Sequence, residues 1–121
     1  LTLSRTLGSA SSVLAWTMGG PFNDIHAVGS LMGTKIVLNE FVAYSQLSPM
    51  IVSSALSAKA IVIASFALCG FANFSSVAMQ VGGIGALVPE RRGDLAKLGI
   101  KAMICGSLAS FLSATLAGIL M

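Results

Sequence analysis

Three long stretches of this chain carry no charged side chain. None lies between Glu40 and Lys59, none between Lys59 and Glu90, and none after Lys101. Uncharged, mainly apolar runs of about 18 residues or more suit lipid rather than water. A water-soluble domain of 121 residues has a large surface to cover, and about a quarter of its residues are ordinarily charged. Here the charged fraction is 9% and the hydrophobic fraction 55%. The runs lack the two-residue alternation of a membrane β-barrel. The sequence therefore predicts an all-α integral membrane protein. It begins at Leu1 and shows no charged leader followed by a small-residue cleavage site, so it reads as part of a larger membrane protein.

The distribution of charge says more than the net value of +3. Arg91, Arg92, Lys97 and Lys101 crowd one short connection between two apolar stretches. The positive-inside rule places that connection in the cytoplasm and the far end of the last segment outside. Membrane lipid is the expected surrounding partner, with anionic headgroups near these cations. No basic face or aromatic platform accompanies them, which argues against nucleic acid. Cys69 and Cys105 sit inside apolar stretches and read as small hydrophobes. Two cysteines without a nearby histidine support neither a disulfide framework nor a metal site. His26, the single histidine, reads as a helix-surface or capping residue.

Along the chain, residues 2–19 are moderately apolar. Leu3, Leu7, Leu14 and Met18 fall roughly on one face, which suggests a helix at the membrane interface, ended by Gly19-Gly20-Pro21. Asn23 or Asp24 caps a second helix reaching about Leu38. That helix is too short to span, and another short apolar piece follows it up to Ser48-Pro49. Two short arms around the polar pair Asn39-Glu40 predict a re-entrant hairpin over 22–47. Gly29 and Gly33, four apart, offer a close-packing face. Residues 58–88 form one uncharged stretch with Gly70, Asn73, Ser75 and Ser76 near its middle, the pattern of a spanning helix broken at its centre. Asp94 is expected to cap the last spanning helix, 94–121. Gly106, Ser107, Ala109, Ser110, Ser113, Ala114 and Gly118 make that helix a small-residue one.

Glu40 carries the chemical question. A charge inside a membrane costs roughly 2.5–3.5 kcal/mol at a helix centre, so a carboxylate there is first read as functional. The plainer reading is an ion pair with Lys35, but five residues is poor spacing for one helix face. Asn73, Ser76 and Gln80 at i, i+3 and i+7 share a helix face; the plainer reading is polar glue between helices. A carboxylate opposite an amide and a hydroxyl suits vicinal hydroxyls, as in a sugar or ribose. An ammonium or a coupling cation also fits. An intramembrane enzyme would need a nucleophile and base or metal ligands; with only His26 and no base near any serine, none is assembled. From pattern alone the chain is a secondary transporter with a carboxylate-centred polar site.

The stretch GTKIVLNEFVAY, from Gly33 to Tyr44, resembles the signature of concentrative nucleoside transporters. That signature has a small residue, any residue, Lys, three residues, then Asn-Glu-Phe-Val-Ala and an aromatic or Met. Gly33, Lys35, Asn39, Glu40, Phe41, Val42, Ala43 and Tyr44 match it. GFANFSS, followed by a Gly-rich stretch and PERRGDLAKLG, is also similar, in a form closer to bacterial members. The resemblance covers the whole chain and implies the C-terminal part of such a transporter. It implies that Glu40, with Asn73 and Ser76, holds the ribose hydroxyls, and that Asn39, Phe41 and Val42 line the same site. The nucleobase site and most of the sodium (or proton) site are implied in the missing part, with no other cofactor. A multi-pass protein of the plasma membrane, the bacterial inner membrane here, and a homotrimer are likewise implied. Transport of another hydroxylated or cationic solute, or a non-transporting assembly subunit, stay open as alternatives.

Overall fold

The computed structural model describes the backbone of residues 3–121 and the side chains from Thr6 onward. Regular structure among the described residues is helical: α1 (Leu3–Thr17), α2 (Ile25–Val37), α3 (Glu40–Val52), α4 (Ala58–Leu68), α5 (Phe74–Leu87) and α6 (Arg92–Ile119), with a 3₁₀ turn at Pro89–Arg91 before α6. Helix α1 lies along α2. Helix α2 pairs with α3 as a hairpin and leans on α4, and both α4 and α5 pack on α6. The expected order therefore holds: a first helix, a hairpin, a broken helix and a long last helix.

Helix α1 packs on α2 through its small residues, and most of the apolar face read as lying at the membrane interface stays outside that contact. Gly8, Ser11, Ser12, Ala15 and Met18 are buried, whereas Leu14, Val13 and Trp16 are exposed; the side chain of Leu3 lies outside the described residues. The reason is the solvent. In lipid, apolar side chains gain little by leaving it, so helices meet through small residues that let backbones approach. At Gly29, an added Cβ would clash with Ser12 Oγ and stand 2.7 Å from the Gly8 carbonyl oxygen. At Gly8 it would stand 3.2 Å from Ser30 Cα.

The helix ends follow local chemistry. Gly19 takes φ 85°. Its N–H donates to Trp16 O at 2.9 Å and that of Gly20 to Ala15 O at 3.1 Å, closing α1 as the glycines suggested. Helix α3 does not stop at Ser48-Pro49. It continues through Pro49 to Val52, because one missing N–H removes one bond and the turn still packs. It ends on Ser54 at φ 54°, with Ser54 N–H on Ile51 O and Ala55 N–H on Met50 O, at 3.0 and 2.9 Å.

Two expected caps are also revised. Asp24 precedes α2 but makes no side-chain cap bond; its Oδ2 accepts from Ser57 Oγ at 2.6 Å and from Ser57 N–H at 3.1 Å. Ser57 itself caps α4, accepting from Ala60 N–H at 3.3 Å. Asp24 thus ties the foot of the hairpin to the foot of α4, a use that local pattern cannot show. Helix α6 starts at Arg92 rather than at Asp94, which sits in its first turn and pairs with Arg91 at 3.3 Å.

The break expected within 58–88 runs over residues 69–73, between α4 and α5. Gly70 takes φ 125° there, a region few other residues enter. Helix α6, with 28 residues, is long and apolar enough to cross a membrane. It meets the broken helix through a stripe of small residues. Added Cβ atoms at Gly99, Gly106 and Gly118 would stand 2.8 Å from Val77, 3.2 Å from Ala72 and 3.0 Å from Ile63. Of the small residues anticipated in α6, Ala114 and Gly118 are buried, Gly106 and Ser110 are half-buried, and Ala109 and Ser113 face outward.

Close packing of α1 on α2 gives a test. Gly29→Ala should destabilise the full-length protein by about 1–3 kcal/mol through overpacking. Gly93→Ala, where a Cβ meets nothing within 4 Å, should be neutral or slightly stabilising. Thermal unfolding of the two variants side by side, in detergent, measures the difference.

Candidate functional site: a carboxylate between half-helix ends

Four helix ends meet around Glu40. They are the C-terminus of α2, the N-terminus of α3, the C-terminus of α4 and the N-terminus of α5. Asn39 has an extended backbone (φ −164°), and its side-chain oxygen accepts from Val42 N–H at 2.9 Å, capping α3. Asn73 repeats the arrangement. Its backbone is extended (φ −147°), and its Oδ1 accepts from Ser76 N–H at 2.8 Å, capping α5. An Asn ahead of an apolar run is a helix-start signal, so both caps were open to sequence reading.

The two ends face each other. Asn73 Nδ2 donates to Glu40 Oε2 at 2.9 Å. The amide is divided between two tasks, its oxygen ordering α5 and its nitrogen holding the carboxylate. Asn73 is fully buried and Glu40 half-buried. Glu40 is the first residue of α3, where the positive end of the helix dipole favours a carboxylate.

Lys35 makes no direct salt bridge with Glu40. The one salt bridge among the described residues is Arg91–Asp94. Lys35 is fully buried, donates from Nζ to the Ala67 carbonyl at 3.1 Å and stands 5.8 Å from the centre of the Phe111 ring. Tyr44, the last residue of the motif, donates its hydroxyl to Ser65 O at 2.7 Å. Ser110 of α6 donates to Cys69 O at 2.6 Å. Side chains from α2, α3 and α6 thus satisfy carbonyls that the broken helix leaves open. Ser110 was read only as a small packing residue. A hydroxyl opposite a predicted helix break was the available clue.

The remaining expected residues divide. Val42 is half-buried on α3, and Phe41 is 78% exposed. Asn73, as a cap, stands outside the helical face it was to share with Ser76 and Gln80. Ser76 and Gln80 instead line, with Phe71 and Met103, a cavity of about 210 Å³ between α5 and α6. Glu40 does not line that cavity. Ser76 reaches the carboxylate side through its backbone N–H on Asn73. His26 is exposed on α2, with Nδ1 3.5 Å from Ser12 Oγ. Cys69 and Cys105 are free, exposed thiols.

A broken helix, a hairpin whose tip meets the break and a polar pair at the junction define a membrane transporter of the type with discontinuous helices. The chain belongs to the family described as Na+ dependent nucleoside transporter C-terminus, whose model matches residues 1–118. It is 45% identical over 122 residues to the nucleoside permease NupC of Helicobacter pylori, covering 98% of this chain and 29% of that protein. It is 40% identical over 120 residues to the sodium/nucleoside cotransporter 1 of Rattus norvegicus, covering 88% and 18%. The solved structure of CNTnw in an inward-facing substrate-bound state superposes with a TM-score of 0.85 at 49% identity, over 98% of this chain and 29% of that one. The chain thus spans less than a third of the length of these relatives.

The Glu40–Asn73 bond gives a reciprocal test. Asn73→Asp keeps the cap acceptor but sets a second carboxylate against Glu40, and should lower thermal stability. Adding Glu40→Gln returns an amide donor opposite a carboxylate. The double variant should regain stability relative to Asn73→Asp, with a coupling of about 0.5–3 kcal/mol in the cycle.

Proposed function

We propose that the complete protein is a sodium-coupled symporter of nucleosides, and that this part holds the ribose through Glu40, Asn73 and Ser76. One observation carries the reading: a half-buried carboxylate accepts a single hydrogen bond, 2.9 Å long, from the Asn73 amide where the hairpin tip meets the helix break. Among the described residues Glu40 Oε1 has no such partner. A carboxylate accepts and an amide both donates and accepts. A hydroxyl entering between them donates to Glu40 and accepts from Asn73, exchanging one bond for two. A neighbouring hydroxyl donates to the second carboxylate oxygen. Vicinal hydroxyls of a ribose supply that pair. Val42 and the apolar face of Phe41 flank the sugar; Asn39 acts by fixing the start of α3.

Support for sodium and for nucleosides comes from the family and from the names of the relatives, which include sodium/nucleoside cotransporters. In this proposal the nucleobase and the coupling ion are bound chiefly by the part of the transporter outside this chain. The protein works as a homotrimer in the plasma membrane, the inner membrane of a bacterium, and moves its solute without catalysing a reaction. The loaded hairpin and broken helix move together against the rest of the protein in alternating access.

Uptake of uridine into proteoliposomes by the full-length protein, with a sodium gradient and with a proton gradient, tests the coupling. Uptake should follow sodium; a proton-only response would replace the ion and keep the site. Glu40→Gln should weaken nucleoside affinity by about 1.5–3 kcal/mol, the range for hydrogen bonds to charged groups, or more than tenfold. A 3′-deoxynucleoside should lose affinity similarly. Equal competition by the deoxy and parent compounds would remove ribose from the reading and point to another hydroxylated solute.

A further inference from the structure

Lys35 is the least expected residue in this structure. Its side chain is fully buried in a chain built for lipid, and Glu40 does not pair with it. Burying an ammonium is costly unless its surroundings return the lost hydration. Here the return comes from the C-terminal end of α4. Nζ donates to Ala67 O at 3.1 Å and lies over the Phe111 ring of α6. The last carbonyls of a helix carry the negative end of its dipole, so a cation is favoured there. An apolar side chain of similar length would fill the same space without the desolvation cost. The charge is therefore suited to holding one helix end in place.

The hairpin tip carries two opposite charges, and the broken helix presents two opposite ends. Lys35, in the last turn of α2, takes the carbonyl end of α4. Glu40, first in α3, takes the amide end of α5 through Asn73. Tyr44 on Ser65 O and Ser110 on Cys69 O brace the carbonyl side at 2.7 and 2.6 Å. The five residues of the break, 69–73, have no helical bonding of their own to fix the gap between α4 and α5. Two charges on one short tip reach across that gap, beside the packing of both half-helices on α6.

We infer that Lys35 is a positioning residue: its ammonium pins the end of α4 to the hairpin and so sets where Asn73 stands relative to Glu40. The consequence for nucleosides rests on the ribose reading above, whereas the hold on the break does not. Two readouts separate them in the full-length protein with Cys69 kept as its single cysteine. The first is the rate at which a small maleimide alkylates Cys69, the exposed thiol at the break, with no nucleoside present. The second is the KM and maximal rate of uridine uptake.

Lys35→Met should raise the alkylation rate about tenfold or more and raise KM by a similar factor, and Lys35→Arg should lie closer to the parent in both. A lower maximal rate with unchanged alkylation and unchanged KM would mean lost protein only, and would overturn the inference. Faster alkylation with unchanged KM would uphold Lys35 as the pin and count against Glu40 and Asn73 as the nucleoside contact. Should Lys35→Met fail to fold, Lys35→Gln, which keeps a donor without the charge, should show an intermediate alkylation rate. A rate equal to the parent's in that variant would equally overturn the inference.

Discussion

A helix interrupted inside a membrane must find partners for the backbone groups it gives up, because lipid supplies none. That constraint organises this structure. Helix α4 ends with open carbonyls at residues 65–68 and α5 begins with open N–H groups. Phe66 O is closed locally by Cys69 N–H at 3.2 Å. Ser65 and Ala67 take partners from elsewhere, Tyr44 and Lys35, and within the break Cys69 O takes Ser110. On the far side of the break Asn73 folds its own oxygen onto Ser76 N–H. Polar side chains are thus spent on the open backbone groups of the break.

Packing follows from the same solvent. Large apolar side chains point outward along most of α6, including Leu98, Ile104, Leu108, Leu112 and Leu116. Its contacts with the broken helix run through Gly99, Gly106, Ser110, Ala114 and Gly118. Small residues permit the close approach that puts the Ser110 hydroxyl within 2.6 Å of a carbonyl at the break. A bulkier stripe would push α6 away and leave that carbonyl open. Helix contact and backbone satisfaction are thus one requirement. Gly70 shows both halves of it: its φ of 125° makes the turn, and a Cβ there would sit 2.9 Å from Ser110 Oγ.

Much of this was legible in the sequence. Uncharged runs gave the helical membrane class, Gly19-Gly20-Pro21 gave the end of α1, and the Gly70–Ser76 stretch gave the break. The errors share a cause. Asp24 and Asp94 were assigned to caps by local pattern, and Asp24 went to Ser57, 33 positions away. Pro49 was read as a stop, but a helix supported on other faces absorbs one lost bond. The cap roles of Asn39 and Asn73 lay open to local pattern as well. Lys35 was visible in the motif, but only the fold shows that its hydrogen bond goes to a helix end.

The double duty of Asn73 bears on selectivity. An amide committed on one side to Ser76 N–H cannot rotate to follow a ligand without uncapping α5. Its nitrogen is therefore presented to Glu40 in one orientation. In the proposed exchange, a hydroxyl must fit the gap so defined, and the carboxylate must not be left short of donors when it does. A ligand lacking that hydroxyl forfeits a bond and also leaves a half-buried charge poorly satisfied, the larger of the two costs. A site built from helix caps thereby discriminates against missing groups more sharply than against altered ones. Such a site suits a transporter whose solutes differ in base and share a sugar.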